Sequence, residues 1–161
     1  MFRSEHRRLP SLFCFRREQR RLLVWESFER LSRGEGPAWL EGTGEESRDY
    51  LTVEDVAAAF LQLAEQRLAG TREGGSLIVN VASGQETKVL ALIEMMRDII
   101  APGKEIRFRG VARKGDPKRW RADISRLRSV LPTWQPRPLK ESLVQCIAEW
   151  QKESRVSKQM S

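Results

Sequence analysis

The 161-residue sequence has one histidine, one tyrosine and two cysteines. A single histidine, His6 in a basic leader, removes histidine-based catalytic triads and multi-histidine metal sites from the available chemistries. Cys14 and Cys146 lie 132 positions apart, in no ligand or redox spacing. Neither a disulfide framework nor a zinc knuckle can therefore be read, and a reducing compartment is the default. No stretch approaches the roughly 20 uninterrupted apolar residues of a membrane-spanning helix. What remains must work through Arg, Lys, Asp, Glu, Ser or Thr. The length suits one domain with a core rather than two, and the expected location is cytoplasmic.

What the chain does have is positive charge, +7 overall, unevenly spread. Residues 1–21 hold seven arginines against Glu5 and Glu18, a local +5. Residues 104–128 hold ten Lys or Arg against Glu105, Asp116 and Asp123, a local +7, so the remainder is acidic at −5. Two confined basic blocks fit a tail plus a pocket for a phosphorylated ligand as well as they fit a nucleic-acid surface, because clustered guanidinium groups recognise phosphate oxygens in either setting.

The periodicity predicts one α/β unit, residues 22–153, between a basic disordered leader at 1–21 and a polar, frayed tail at 154–161. Val24, Phe28 and Leu31 recur at helical spacing, and Gly34 supplies a stop. A short extended segment follows at 38–40. Thr52 with Asp55 has the form of a helix-opening capping box, ahead of a buried stripe at Val53, Val56, Phe60, Leu63 and Ala64. Residues 77–81 read as a buried β-branched strand, and Thr87 opens a helix with Leu92, Ile93, Met96, Ile99 and Ile100 on its apolar side. Ile106 and Phe108 alternate with Arg107 and Arg109 as a half-buried strand does. Asp123 is placed to cap a short helix carrying Leu127 and Val130. Pro138 starts the last helix, with Leu139, Leu143, Ile147 and Trp150 as its core stripe.

Three segments, taken in order, resemble the C-terminal half of the NAD-dependent epimerase/dehydratase family, the extended short-chain dehydrogenases that act on nucleotide sugars. The first is the glycine turn Gly42-Thr43-Gly44, then Arg48-Asp49-Tyr50 and Val53-Glu54-Asp55-Val56-Ala57. The second is Asn80-Val81-Ala82-Ser83-Gly84, with Ala82 where the family has a glycine. The third is Arg113-Lys114-Gly115-Asp116, followed by Ala122-Asp123-Ile124-Ser125-Arg126 and Trp134-x-Pro136. The resemblance covers roughly residues 25–152. It implies a small mixed substrate-binding domain of an extended short-chain dehydrogenase, without the N-terminal Rossmann half.

The resemblance also implies roles. Arg48 and Arg113 would contact the pyrophosphate of a nucleotide-diphosphate sugar, and a planar guanidinium that stays charged suits a diphosphate better than lysine does. Asp116 would hold Arg113 or meet a nucleotide hydroxyl. Asn80 and Ser83 stand where a strand gives way to a loop, a position that is often ligand-facing and often simply a turn. Without the motif, Arg48 beside Asp49 reads as a surface ion pair. Lys118-Arg119-Trp120-Arg121 interleaves cations with an aromatic as single-strand binders do, and equally as a solvated loop with one packed indole does.

The family's chemistry needs a glycine-rich turn that seats NAD or NADP and a Tyr with a Lys four residues later. None of the eleven glycines forms such a motif, and the only tyrosine, Tyr50, has Glu54 at that position. The resulting expectation is a truncated enzyme that keeps the sugar-nucleotide-binding half and is inactive alone, with no cofactor or metal held by this chain. Two other readings stay open. One is a non-catalytic module that docks on a Rossmann-containing chain or on a second copy of itself; the other is a basic nucleic-acid-binding protein built on residues 104–128 and the leader.

Overall fold

A computed structural model describes residues 13–15, 22–70, 76–111 and 117–159. In chain order the elements are β1 (Phe13–Phe15), α1 (Leu23–Ser32), β2 (Ala38–Leu40), β3 (Ser47–Arg48), β4 (Tyr50–Thr52) and α2 (Val53–Leu68). They continue with β5 (Thr87–Lys88), α3 (Val89–Ile100), β6 (Ile106–Phe108), α4 (Ser125–Val130) and α5 (Leu139–Gln159). The strands are short and pair two by two. β1 runs parallel to β4, β2 parallel to β6, and β3 antiparallel to β5.

Two apolar clusters hold these pieces. The larger joins Val24, Phe28 and Leu31 of α1, Ala38 and Leu40 of β2, Leu92, Ile93 and Met96 of α3, and Leu143, Ile147 and Trp150 of α5. β2 alternates as a strand does, with Ala38 and Leu40 buried while Trp39 faces outward under the Arg107 guanidinium, 5.5 Å from its ring centroid. The smaller cluster gathers Ala59 of α2, Leu127 and Val130 of α4, and Ala82, Ile124, Leu131 and Trp134 from the connecting chain. β4 serves both, since Tyr50 packs in the first cluster and its neighbour Leu51 in the second.

The Thr52 cap at the start of α2 forms where the spacing puts it. The Thr52 hydroxyl accepts from the Asp55 amide at 3.1 Å and donates to the Asp55 carboxylate at 2.6 Å. That carboxylate also faces the Arg137 guanidinium at 3.6 Å, which fastens the helix start to the chain ahead of α5. α1, β2, β6 and the core stripes of α3 and α5 likewise stand where the periodicity puts them.

Six features differ from the sequence reading. Residues 77–81 form no ladder with any described strand, and Ile78 is 76% exposed; β-branched composition favours a strand only where a partner edge exists. Phe60, expected in the core, is 59% exposed, because the inward face of α2 runs through Asp55 and Ala59 instead. Thr87 lies in β5 and the helix begins at Val89, its first amides taken by the carbonyls of Glu46 and Gly44. Asp123 receives the Ser125 amide at 2.9 Å, but Ile124 occupies the cap position of α4. Finally, Phe13–Phe15 within the leader forms β1, and α5 runs through Gln159, past residue 153.

Candidate functional site

The motif segments separated in sequence converge on one side chain, Asp49. Its carboxylate, 2% exposed, accepts the Ser83 amide at 2.9 Å, the Ser83 hydroxyl at 2.6 Å, the Gly84 amide at 3.0 Å and the Ala122 amide at 3.3 Å. The donors come from positions 34 to 73 residues away. A buried carboxylate with this many donors is compensated for its loss of water. It is not the surface partner of Arg48 that adjacency suggests.

Arg48 is itself buried, at 5% exposure. Its Nη1 donates to the Ser47 carbonyl at 2.8 Å and to the Pro117 carbonyl at 2.6 Å, so the guanidinium grips the chain where it re-enters the described residues. Arg113 and Asp116 fall outside the described residues. Asn80 is exposed and donates to the Asp123 carbonyl at 3.0 Å. Ser83 gives both its donors to Asp49. The structure therefore brings Arg48, Asn80 and Ser83 into one neighbourhood, each with a structural hydrogen bond already made.

Three further residues belong to this neighbourhood that sequence reasoning did not place in a site. Glu86 accepts the Ser47 hydroxyl and a bidentate pair from Arg119, both at 2.8 Å. The Arg119 guanidinium, and after it the Ser47 hydroxyl, hold the Glu86 carboxyl down to about 2 from an ordinary 4.5. The depressed value fixes the sign of a pH dependence: the tie is complete above about pH 4.5 and is lost as pH falls towards 2. A carbon-detected NMR titration of Glu86 should show a midpoint near 2, and a midpoint near 4.5 would mean that the Arg119 contact does not hold in solution. Arg121 and Arg128 are the other two. They flank a cleft of about 350 Å³ that runs past Gly84, Asp123 and Ser125. Both lie in the basic block 104–128 that fits a pocket for a phosphorylated ligand, but nothing singles these two out among its ten cations.

Proton transfer and dinucleotide binding find little support in this arrangement. Tyr50 is buried, and burial pushes its phenol well above the ordinary range against the opposing charge of Arg48. Dinucleotide pyrophosphate sits best on free amides at a helix N-terminus beside a glycine turn. Here α2 opens on Glu54 and Asp55 with Thr52 as its cap, and the first amides of α3 are bonded to Glu46 and Gly44. The starts of α2 and α3 therefore do not fit the pyrophosphate of NAD or NADP. Among the described residues no group of three or more His, Cys, Asp or Glu could hold a metal ion, and no helix is long and apolar enough to cross a membrane.

No protein-family model matches the chain. It is 37% identical over 112 residues to a GDP-6-deoxy-D-mannose reductase of Pseudomonas aeruginosa, a match that covers 68% of this chain and 34% of that protein. It is 37% identical over 95 residues to a UDP-glucose 4-epimerase of Mycolicibacterium smegmatis, 59% of this chain and 28% of that one. Among solved structures, the UDP-glucose 4-epimerase of Thermotoga maritima with UDP-glucose superposes with a TM-score of 0.64 at 28% identity, over 82% of this chain and 40% of that chain. RMD from Pseudomonas aeruginosa, complexed with NADPH, gives 0.68 at 24% identity over 84% and 44%, a likeness of fold. The chain thus spans about a third of the length of the curated relatives it matches, in keeping with the C-terminal half suggested by its motifs. With an α/β fold shared across most of its length and motif segments that meet in space, the chain belongs to the NAD-dependent epimerase/dehydratase family.

Proposed function

We propose that residues 22–153 act as the nucleotide-sugar-binding part of an epimerase or reductase, and that this part is inactive by itself. The carrying observation is the convergence of segments 47–52, 80–86 and 117–123 on the Asp49 carboxylate. In this reading Arg48 anchors the loop at Pro117, and Arg113, four positions earlier, meets the diphosphate together with Arg48. Asp116 steadies Arg113 or a nucleotide hydroxyl, and Asn80 and Ser83 line the approach. The relatives named above are a GDP-sugar reductase and UDP-sugar epimerases, so GDP- and UDP-sugars are the first ligands to compare.

A thermal melt with UDP-, dTDP-, GDP- and CDP-sugars tests this directly. A ligand at about 100 times its Kd should stabilise the fold by about 2.7 kcal/mol. One nucleotide family should raise the transition, and Arg113→Ala should abolish the rise without lowering the unliganded midpoint. A cooperative melt indifferent to every nucleotide would overturn the reading.

A specific feature also favours a docking role alongside binding. Phe60, Leu61 and Leu68 of α2 are exposed, as is Ile78, and large apolar side chains in water commonly mark an interface. The partner of this reading carries the dinucleotide site that the described residues do not provide, either a Rossmann-type chain or an oligomer that supplies one. Copurification with such a chain supports it, and a monodisperse monomer counts against it. The nucleic-acid reading has less to rest on. Arg107, Arg109 and Arg119 of the basic block are each engaged by a carboxylate, from Glu105, Glu41 and Glu86.

A further inference from the structure

The cleft beside Gly84 combines concavity with charge that no direct ion pair neutralises. Arg121 and Arg128 both line it, and neither guanidinium makes a hydrogen bond or ion pair among the described residues. The described carboxylates around the cleft are hydrogen-bonded to other groups, although the charge of Arg121 still acts on Glu86 and Asp123. Asp49 is filled by three amides and a hydroxyl, Glu86 by Arg119 and Ser47, and Asp123, in the cleft wall, by the amide and hydroxyl of Ser125.

The walls are also fixed in place. Asp49 binds Ser83 and Gly84 on one side and Ala122 on the other, so one buried carboxylate sets the separation of the two segments that form the cleft. Gly84 has φ +72°, and a Cβ there would lie 2.7 Å from the Ile124 Cδ1 and 3.8 Å from the Arg128 Nη2. Only glycine allows the loop to approach α4 this closely. The cleft's volume of about 350 Å³ lies at the lower end of the range of small-molecule sites.

We propose that this cleft binds a phosphate-bearing small molecule, with Arg121 and Arg128 as its two guanidinium contacts. Two guanidiniums at one concavity offer paired donors to the several oxygens of a phosphate or diphosphate, which a single surface cation cannot do. Asp49 is a positioning residue for this site, acting through the segments it joins. The proposal goes beyond the Arg48 and Arg113 reading, because it uses a different pair of arginines and stands if that reading fails.

Isothermal titration calorimetry of the 161-residue chain with sodium pyrophosphate and, separately, with inorganic phosphate provides the test. Saturable one-to-one binding is expected, weakened as ionic strength rises. Arg121→Ala and Arg128→Ala should each raise Kd by about tenfold or more, since a charge-assisted hydrogen bond contributes on that order. Both side chains are exposed on the cleft rim, so these variants keep the fold, which circular dichroism on the same samples checks. Arg126→Ala, on α4 but outside the cleft, should leave binding unchanged. Absence of saturable heat with either probe would overturn the proposal. So would equal weakening by Arg126→Ala, which would reveal a diffuse positive surface, or loss with Arg113→Ala while Arg121→Ala binds normally, which would move the anion to the other arginines.

Discussion

Asp49→Ala is expected to lower stability by about 3–5 kcal/mol. The alanine leaves the amides of Ser83, Gly84 and Ala122 and the Ser83 hydroxyl without their acceptor. Each buried donor so orphaned costs about 1–3 kcal/mol, and the hydroxyl, which can rotate, costs least. Removing a buried charge also removes its desolvation penalty, which works the other way. That penalty is already offset by four donors, so the orphaned amides decide the sign. Against a total stability of about 5–15 kcal/mol, with small domains at the lower end, most of the margin would go. Asp49→Asn should lose less but still a large share, because its amide nitrogen faces donors rather than acceptors. Urea unfolding followed by tryptophan fluorescence measures both, and a shift below about 1 kcal/mol for the alanine would show that water replaces the carboxylate.

Trp150→Ala should destabilise by a comparable amount, about 3–5 kcal/mol, for a different reason. Trp150 is 1% exposed, and its indole stands edge-on to Trp25 at 5.0 Å and tilted against Phe28 at 5.1 Å. Truncation opens a cavity between α1 and α5 and forfeits both ring contacts, each worth about 0.5–1.5 kcal/mol beyond the buried area. Trp150→Phe keeps an aromatic in the gap and should cost about half as much or less. Differential scanning calorimetry of the two variants separates cavity from contact. Equal losses for Ala and Phe would mean that the indole itself, rather than the filled volume, is what α1 requires.

How much of the fold was legible in the sequence depended on whether the determining contacts were local. The Thr52–Asp55 cap, the α1 stripe and the alternation at β6 are settled within a few residues, and they stand where their spacing puts them. Residues 77–81 have strand composition, but a ladder is made by two segments and no described strand pairs with them. Phe60 fits the period of a buried stripe as well as Ala59 does; which of the two faces inward depends on where the second cluster lies, and that is information carried by Leu127 and Trp134. At the site, the Arg48-Asp49-Tyr50 motif was visible, yet the division of labour inside it was not. Asp49 takes its donors from the second and third motif segments, and Arg48 grips Pro117, 69 residues away. Arg121 and Arg128 belong to the basic block that fits a phosphate pocket, yet nothing singled them out among its ten cations, because a cleft is a property of what surrounds a charge.

The position of β4 bears on how errors spread through this molecule. Tyr50 and Leu51, consecutive in one strand, point into different clusters. Damage on one side therefore reaches the other through a rigid backbone of three residues. Substitutions in residues that touch this strand from opposite sides should not combine as independent losses, whereas positions beyond its reach should add. The folding unit thus has a shared spine rather than two separable halves, and its tolerance for simultaneous change on both sides is set by how far β4 can shift.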